Sequence, residues 1–419
     1  MLELSSQDQA MLNGVHGDAV ALAMRIVTRA AEVIGATHLI DIEAAHIDGC
    51  LYHGPASLDF VDRLVAGGGR VVVPTTLNVG SMDLIHPELF RGSASLKSNA
   101  ERLMAAHLAL GCESSFTCAP YQLSKRPKLG QQIAWAESNA IVFANSVLGA
   151  RTNRYGDFMD LCAAITGRVP FAGLHVEANR VGQVLFRVSG LAERHHDRDI
   201  LFAALGFIVG QRTGSWVPVI EGLPLNSTED ELKALGAAAA SSGAVALFHA
   251  VGITPEAPTL EVALGHQAPL HTIDVSLADL TGVRKALNNC AAGDALAAVA
   301  VGTPHFSLTE FAELGRLIAR SPGSFSVDFY VNTSRFILWE LEQSGALQRL
   351  TDAGVQIVTD TCTYITPVMK QTRGLVMTNS GKWAHYAPAN IGVEVAYGSL
   401  YECVQSARTG KVWFDDSNG

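Results

Sequence analysis

The chain has 419 residues, 48% hydrophobic and 17% charged, with 39 glycines and a formal net charge of −10. That length exceeds what one hydrophobic core usually organises, so more than one subdomain is expected, and the apolar content excludes a disordered chain. The acidic balance, with no dense Lys/Arg run, argues against a nucleic-acid partner.

Met1 to Asp8 carry no basic stretch leading into an apolar core, so no secretory signal is expected. Asp18 is placed to cap a helix through Val20, Met24, Val27, Ala31 and Ile34, with Gly35 in the left-handed position that ends it. Apolar runs of strand length follow at His38–Ile42, Arg70–Val73, Ala140–Ala144 and Val184–Val188. Ser227 with Asp230 opens a helix through Leu232 and Leu235, and further strands are predicted at Ala244–Phe248, Leu296–Val301, Phe325–Val331 and Val355–Val358. Ser307 and Glu310 form a capping box ahead of Phe311, Leu314 and Ile318. The alternation defines the α/β class. A soft subdomain boundary is expected between 190 and 225, where Glu193-Arg194-His195-His196-Asp197 and Gly222-Leu223-Pro224 interrupt the pattern. No apolar run reaches the ~20 residues that span a bilayer, so a cytoplasmic protein with no membrane partner is expected.

In parallel sheets ligands gather beyond the carboxyl ends of the strands. Cys50, Thr75-Thr76-Leu77-Asn78, Asn145 to Arg154, His249, Thr303-Pro304-His305, Asn332 and Asp360-Thr361-Cys362 all fall at such ends and are expected to form one site. The cysteines, at 50, 112, 118, 162, 290, 362 and 403, are odd in number and include no C-x-x-C pair, so spacing alone defines neither a disulfide framework nor a ligand set. His175 and Glu177 alternate without a third ligand at useful spacing and are read as non-metal. Gly67-Gly68-Gly69 does not open a helix, which excludes a phosphate loop.

Four stretches carry a family resemblance: Thr117-Cys118-Ala119-Pro120-Tyr121, the loop Asn145 to Arg154, Asp360-Thr361-Cys362, and Thr378-Asn379-Ser380-Gly381-Lys382. Together they resemble aconitase X, a branch of the aconitase superfamily known mostly as dehydratases, and the likeness runs from Leu4 to Val412. It implies an aconitase-like large body of several α/β subdomains around a central iron–sulfur and substrate site. Cys118 and Cys362 lie in motifs where family members bind an iron–sulfur cluster or iron. The mevalonate-phosphate dehydratases of the family carry a third cluster cysteine where this chain has Thr303, a poor ligand for iron. Either the cluster is smaller or incomplete, or Cys50 of Ile47-Asp48-Gly49-Cys50 supplies the missing bond. Cys112, Cys162 and Cys403 are expected to fill core or helix-face positions, and Cys290, set before its strand, to lie at the opposite end.

Dehydration of a hydroxy acid needs a base for the α-proton, an acid on the leaving hydroxyl and groups that hold the carboxylate. Lys382, His305 and Arg154 are the candidates for catalytic roles. Gly49, Cys50, Thr75, Thr76, Ser138, Asn139, Asn145, Ser146, Arg151, Gly381 and Lys382 are the candidates for holding the substrate. His249 reads as structural, and Asp360 as a fixer of the Cys362 loop. The resemblance implies loss of water from cis-3-hydroxy-L-proline to give Δ1-pyrroline-2-carboxylate; mevalonate 5-phosphate dehydration is the alternative reaction, and a metal-binding regulatory or scaffold protein without turnover is the non-enzyme alternative. Thr303 favours the first of these. Relatives also have a small swivelling domain, which implies a separate small subunit as partner, and the identity of the catalytic base stays open.

Overall fold

The computed structural model describes residues 2–191, 197–320, 323–371 and 373–415. Two compact units emerge: one from the amino terminus to Met82 and from Gly92 to Val181, the other from Asp83–Arg91 and Gly182 onward. The break at Val181/Gly182 precedes the stretch where a boundary was expected. Of that stretch, Glu193 to His196 lie outside the described residues, while helix Arg198–Thr213 and strand Pro218–Glu221 belong to the second unit.

The first unit holds a three-stranded parallel sheet in the order Thr75–Leu77, Ala45–Ile47, Ala134–Trp135, and a short antiparallel pair, Leu39–Asp41 with Arg168–Pro170. Every residue of the central strand Ala45–Ile47 is buried, the pattern of a parallel strand covered on both faces. Helix Asp18–Val33 turns Ala23, Met24, Val27 and Ala31 inward at helical spacing. Its N-cap is Gly17 rather than Asp18, whose carboxylate sits in the first turn, where the helix dipole favours it; Gly35 takes the expected left-handed conformation at φ 71°.

Two predicted strands of this unit take other forms. Ala140–Ala144 lies in a helix, Ser138–Phe143, which runs on into a π turn, Ala144–Leu148. The Glu137 carboxylate caps it by accepting from the Ala140 amide at 2.8 Å, and Asn139 to Ser146 are all buried, so no polar face reveals its period. Arg70–Val73 forms no ladder: the Val71 and Val72 amides donate to Leu110 and Ala164 on two different helices, and the strand begins only after Pro74.

The second unit contains two parallel sheets. One has the order His249–Ala250, Pro218–Glu221, Val184–Val188, His271–Val275. The predicted strand Ala244–Phe248 is a coil leading into His249–Ala250, because only those two residues meet Val219 and Ile220. The larger sheet has the order Val355–Val358, Asp328–Thr333, Ala298–Phe306, Leu375–Thr378, Glu394–Tyr397. Helix Glu229–Ser242 starts on a capping box of Thr228 and Glu231, one residue beyond the predicted Ser227 and Asp230. The Ser307/Glu310 box forms as expected, with the two reciprocal bonds at 2.8 and 3.2 Å.

The central strand Ala298–Phe306 is buried along its whole length, and its pairing with Asp328–Thr333 shifts register between Val301 and Phe306. The cis peptide Thr303–Pro304 and Gly302 lie in that irregular stretch. Gly302 has φ 87°, and a Cβ there would collide with the carbonyl oxygen of Asn332, so only glycine fits. Thr303 and His305 fall in this stretch, toward the carboxyl edge of the sheet, where strand Val355–Val358 also ends. Among the described residues no helix is long and apolar enough to cross a membrane.

Candidate active site

In the first unit, Glu113 to Thr117 run beside strand Thr75–Leu77. The Glu113 amide donates to Thr75 O at 2.8 Å, Leu77 N to Ser115 Oγ at 2.7 Å and Thr117 N to Leu77 O at 2.9 Å. Cys118 follows that edge and is 3% exposed. Its carbonyl accepts from Asn139 Nδ2 at 2.6 Å, while Asn139 Oδ1 accepts from the Tyr121 hydroxyl at 2.6 Å and the amide also donates to the Glu137 carboxylate. Asn139 therefore spends its amide on the backbone that presents Cys118. Ser138 is half-buried, its hydroxyl 3.4 Å from Glu137.

Asn145 has a comparable duty. Its Nδ2 donates to Thr152 O at 2.9 Å and its Oδ1 accepts from Thr152 N at 3.1 Å, closing the loop that carries Gly149, Ala150 and Arg151. The buried Arg180 guanidinium donates to Asn145 Oδ1 and O, Leu174 O and Ala150 O at 3.0–3.1 Å, stapling the same loop. Ser146 is buried in the π turn, Arg151 lies 3.4 Å from Glu177, and Arg154 is exposed. Both ring nitrogens of His175 are engaged, by Gln132 and by Tyr155, at 2.6 Å each.

The Asp48-Gly49-Cys50 loop hangs from the buried carboxyl of Asp160, which accepts from Asp48 N and Leu161 N at 2.7 Å. Burial, reinforced by Asp48 and Asp157, pushes the Asp160 carboxyl up to about 8. The Cys50 thiol donates to Asn78 O at 2.8 Å and faces Val79 O at 3.4 Å. Burial, and then the neighbouring Asp48, hold that thiol well above the ordinary range, a state that disfavours thiolate. Thr75 donates to Val73 O at 2.8 Å, and the Thr76 hydroxyl lies 2.8 Å from His46 Nδ1. Burial lowers His46 to about 3, which keeps it neutral.

In the second unit, Cys362 is 1% exposed and its sulfur lies 3.7 Å from His305 Nε2, which also stands 3.3 Å from Thr361 O. Burial brings His305 down to about 4 despite the Thr361 carbonyl, with Lys233 and Lys382 adding to the shift, so the ring is a neutral donor nitrogen at physiological pH. Asn332 joins the strands around it: Nδ2 reaches Val301 O at 3.0 Å and Thr303 Oγ1 at 3.4 Å, and Oδ1 accepts from Thr363 N at 3.0 Å. Asp360 holds the loop as expected, but chiefly by a side-chain pair: its carboxylate takes both Arg335 Nε and Nη2, at 2.9 and 2.6 Å, and accepts from the Leu84 amide at 3.2 Å.

Lys382 is buried in the first turn of helix Gly381–Ile391, whose N-cap Ser380 accepts from Trp383 N at 3.0 Å and donates to the Thr303 carbonyl. A Cβ on Gly381 would stand 3.0 Å from the Phe207 ring and 3.1 Å from Ala203, so the glycine lets this helix close on Arg198–Thr213. Thr303, Pro304, Ser380, Gly381 and Lys382 line one side of a cavity of about 680 Å³. Lys233 lines it too, with Nζ 2.9 Å from Asp230, bonded to Glu310, and 3.4 Å from the His305 carbonyl. Lysine on a helix otherwise rich in Leu and Ala was the available signal for this group.

Among the described residues no cysteine is in a disulfide, and Cys112, Cys162 and Cys403 are buried as core residues. Cys290 is half-buried and packs at the edge of a core cluster.

The sequence patterns of the Aconitase X first, second and third domains match residues 1–178, 182–285 and 296–409. A cis-3-hydroxy-L-proline dehydratase of Pseudomonas aeruginosa is 43% identical over 412 residues, covering 97% of this chain and 70% of that protein. A phosphomevalonate dehydratase large subunit of Methanosarcina mazei is 33% identical over 411 residues, covering 97% of this chain and 98% of that one. The crystal structure of Thermococcus kodakaraensis aconitase X in its holo-form superposes with a TM-score of 0.87 at 31% identity, covering 97% of this chain and all of that one. The chain belongs to the aconitase X family, enzymes of the carbon–oxygen lyase class.

Proposed function

We propose that this chain is the large catalytic part of a hydro-lyase that removes water from cis-3-hydroxy-L-proline to give Δ1-pyrroline-2-carboxylate. The observation that carries the substrate is the identity of 43% to a hydroxyproline dehydratase, against 33% to a phosphomevalonate dehydratase subunit over nearly the same span. An iron–sulfur or iron centre is the proposed cofactor, and Cys118 and Cys362 are its proposed thiol donors. The donor chemistry in the second unit fits such a group: a buried sulfur lies 3.7 Å from a neutral imidazole nitrogen. His305 is the preferred third donor, because the Cys50 thiol is engaged with Asn78 O. When bound, the centre supplies a Lewis acid for the leaving hydroxyl.

The chain's own groups then have these roles. Lys382 and the amino end of its helix present positive charge together at the cavity, which suits a substrate carboxylate. Arg151, Arg154, Thr76 and Ser146 remain proposed substrate contacts, and Asn139 and Asn145 act by holding the loops that carry Cys118 and Arg151. The proton-abstracting base and the closing lid are assigned to a separate small subunit in a cytoplasmic enzyme. Support comes from the match to 98% of a protein named a large subunit.

The test is anaerobic reconstitution with iron and sulfide, followed by assay on cis-3-hydroxy-L-proline and on mevalonate 5-phosphate, alone and with a candidate small subunit. Turnover of the proline substrate, reduced on the order of 100-fold in kcat/KM by Lys382→Met, is expected. Preference for mevalonate 5-phosphate would overturn the substrate, and full activity of the chain alone would overturn the partner.

A further inference from the structure

Cys362 sits on a loop that a remote piece of chain grips from both sides. Residues Asp83–Arg91 cluster with the second unit although they are flanked in sequence by the first. At one end, the Asp83 carboxylate accepts from Thr359 N and Thr359 Oγ1, both at 2.8 Å, three residues before Cys362. The same carboxylate accepts from Ile85 N and His86 N at 2.8 Å and lies 3.0 Å from His86 Nδ1. Next to it, the Leu84 amide donates to Asp360. At the other end, Arg91 N donates to Pro367 O at 2.8 Å, beyond Cys362. Between these anchors the Cys362 carbonyl accepts from Ile365 N and Thr366 N at 3.2 and 3.1 Å, so the sulfur sits on a turn closed at its base by a carboxylate 1% exposed.

We propose that Asp83 is a positioning residue for the metal thiol: through Thr359 it fixes the backbone that aims Cys362, and it thereby sets how tightly the centre is held. The inference rests on the reading of Cys362 as a ligand. Asp83 bonds to Thr359, Ile85 and His86 rather than to the sulfur; it acts through a strand end, as carboxylates behind metal ligands do. Sequence spacing gives no hint of it, since Asp83 and Thr359 are 276 residues apart.

The experiment reconstitutes the full chain anaerobically with ferrous iron and sulfide, then measures iron retained against a ferrous chelator and the melting temperature of the metal-free protein. Asp83→Asn, which keeps shape but removes charge and one acceptor, is expected to release iron about 10- to 100-fold more readily. Asp8→Asn is the control: it breaks the buried 2.8 Å Asp8–Arg168 pair in the first unit and should hold iron as the parent does. Parental iron retention in Asp83→Asn, or equal loss in Asp8→Asn, overturns the inference. Thr359→Val removes only the hydroxyl donor and must shift iron release in the same direction, which decides the matter if Asp83→Asn does not fold. Cys362→Ser separates the two readings: if it retains iron like the parent, the ligand assignment fails, whereas loss of iron there with an unaltered Asp83→Asn sinks the positioning role alone.

Discussion

Asp160 and Asp83 are both buried aspartates, 0% and 1% exposed, and each grips a loop that carries a cysteine, yet their carboxyls move in opposite directions. Asp160 accepts two backbone amides and has the carboxylates of Asp48 and Asp157 for company, so burial dominates and the group rises to about 8. Burial is also the largest single influence on Asp83. There, however, the His86 ring, the Thr359 and His86 amides and the charge of His86 together outweigh it, and the carboxyl ends below its usual range. Depth alone does not fix the charge of a buried acid; the number of donors and the presence of a cation do. The Cys50 loop thus hangs from an acid that prefers its proton, and the Cys362 loop from an anion.

The comparison breaks hardest at Asp360, the other carboxylate that anchors the Cys362 loop. Arg335→Ala leaves Asp360, 0% exposed, without its cation, and should cost ~3–5 kcal/mol in urea unfolding. A loss within error would show that charge does not hold this loop. The second test concerns sign. A carboxyl raised in the fold binds more protons than in the unfolded chain between ~4 and its folded value, so the stability linked to Asp160 falls as pH rises from ~4 to about 8. Asp160→Asn should flatten that decline in melting temperature, and a parallel decline would remove Asp160 as its source. The smallest effect is expected from His86→Asn. Asp83, lowered in the fold, contributes stability that is present above the unfolded carboxylate value and lost as pH falls through the folded one. His86, raised by Asp83, contributes below its unfolded value and loses that contribution as pH rises through its folded one. Removing a ring whose side chain is 31% exposed should cost less than about 1 kcal/mol and move acid unfolding to higher pH.

Local chemistry made part of this molecule readable. The Ser307/Glu310 box, Gly35 at its helix end and the strand Val355–Val358 before Asp360 and Cys362 follow from residues a few positions apart. The run at Ala140 was misread because a short helix buried all round shows the same apolar stretch as a buried strand. Cys362, His305 and Lys382 were singled out as candidates through motifs, whereas sequence reading passed over Asp83, Asp160, Arg180 and Lys233. Each has a partner tens to hundreds of residues away, Thr359, Asp48, Asn145 and Glu310 respectively, and no period or spacing in the sequence encodes such a bond.

The excursion of Asp83–Arg91 into the second unit also sets a timetable for synthesis. Asp83 leaves the ribosome 276 residues before Thr359. At ~5–20 residues per second the interval is on the order of tens of seconds. Through that interval the first unit must mature around a nine-residue segment whose eventual partners have not been translated. An early-ordered strand or helix at this point would compete with the later docking. Its only regular element is the three-residue turn Pro87–Leu89, so the segment brings almost no structure of its own to undo when Thr359 arrives.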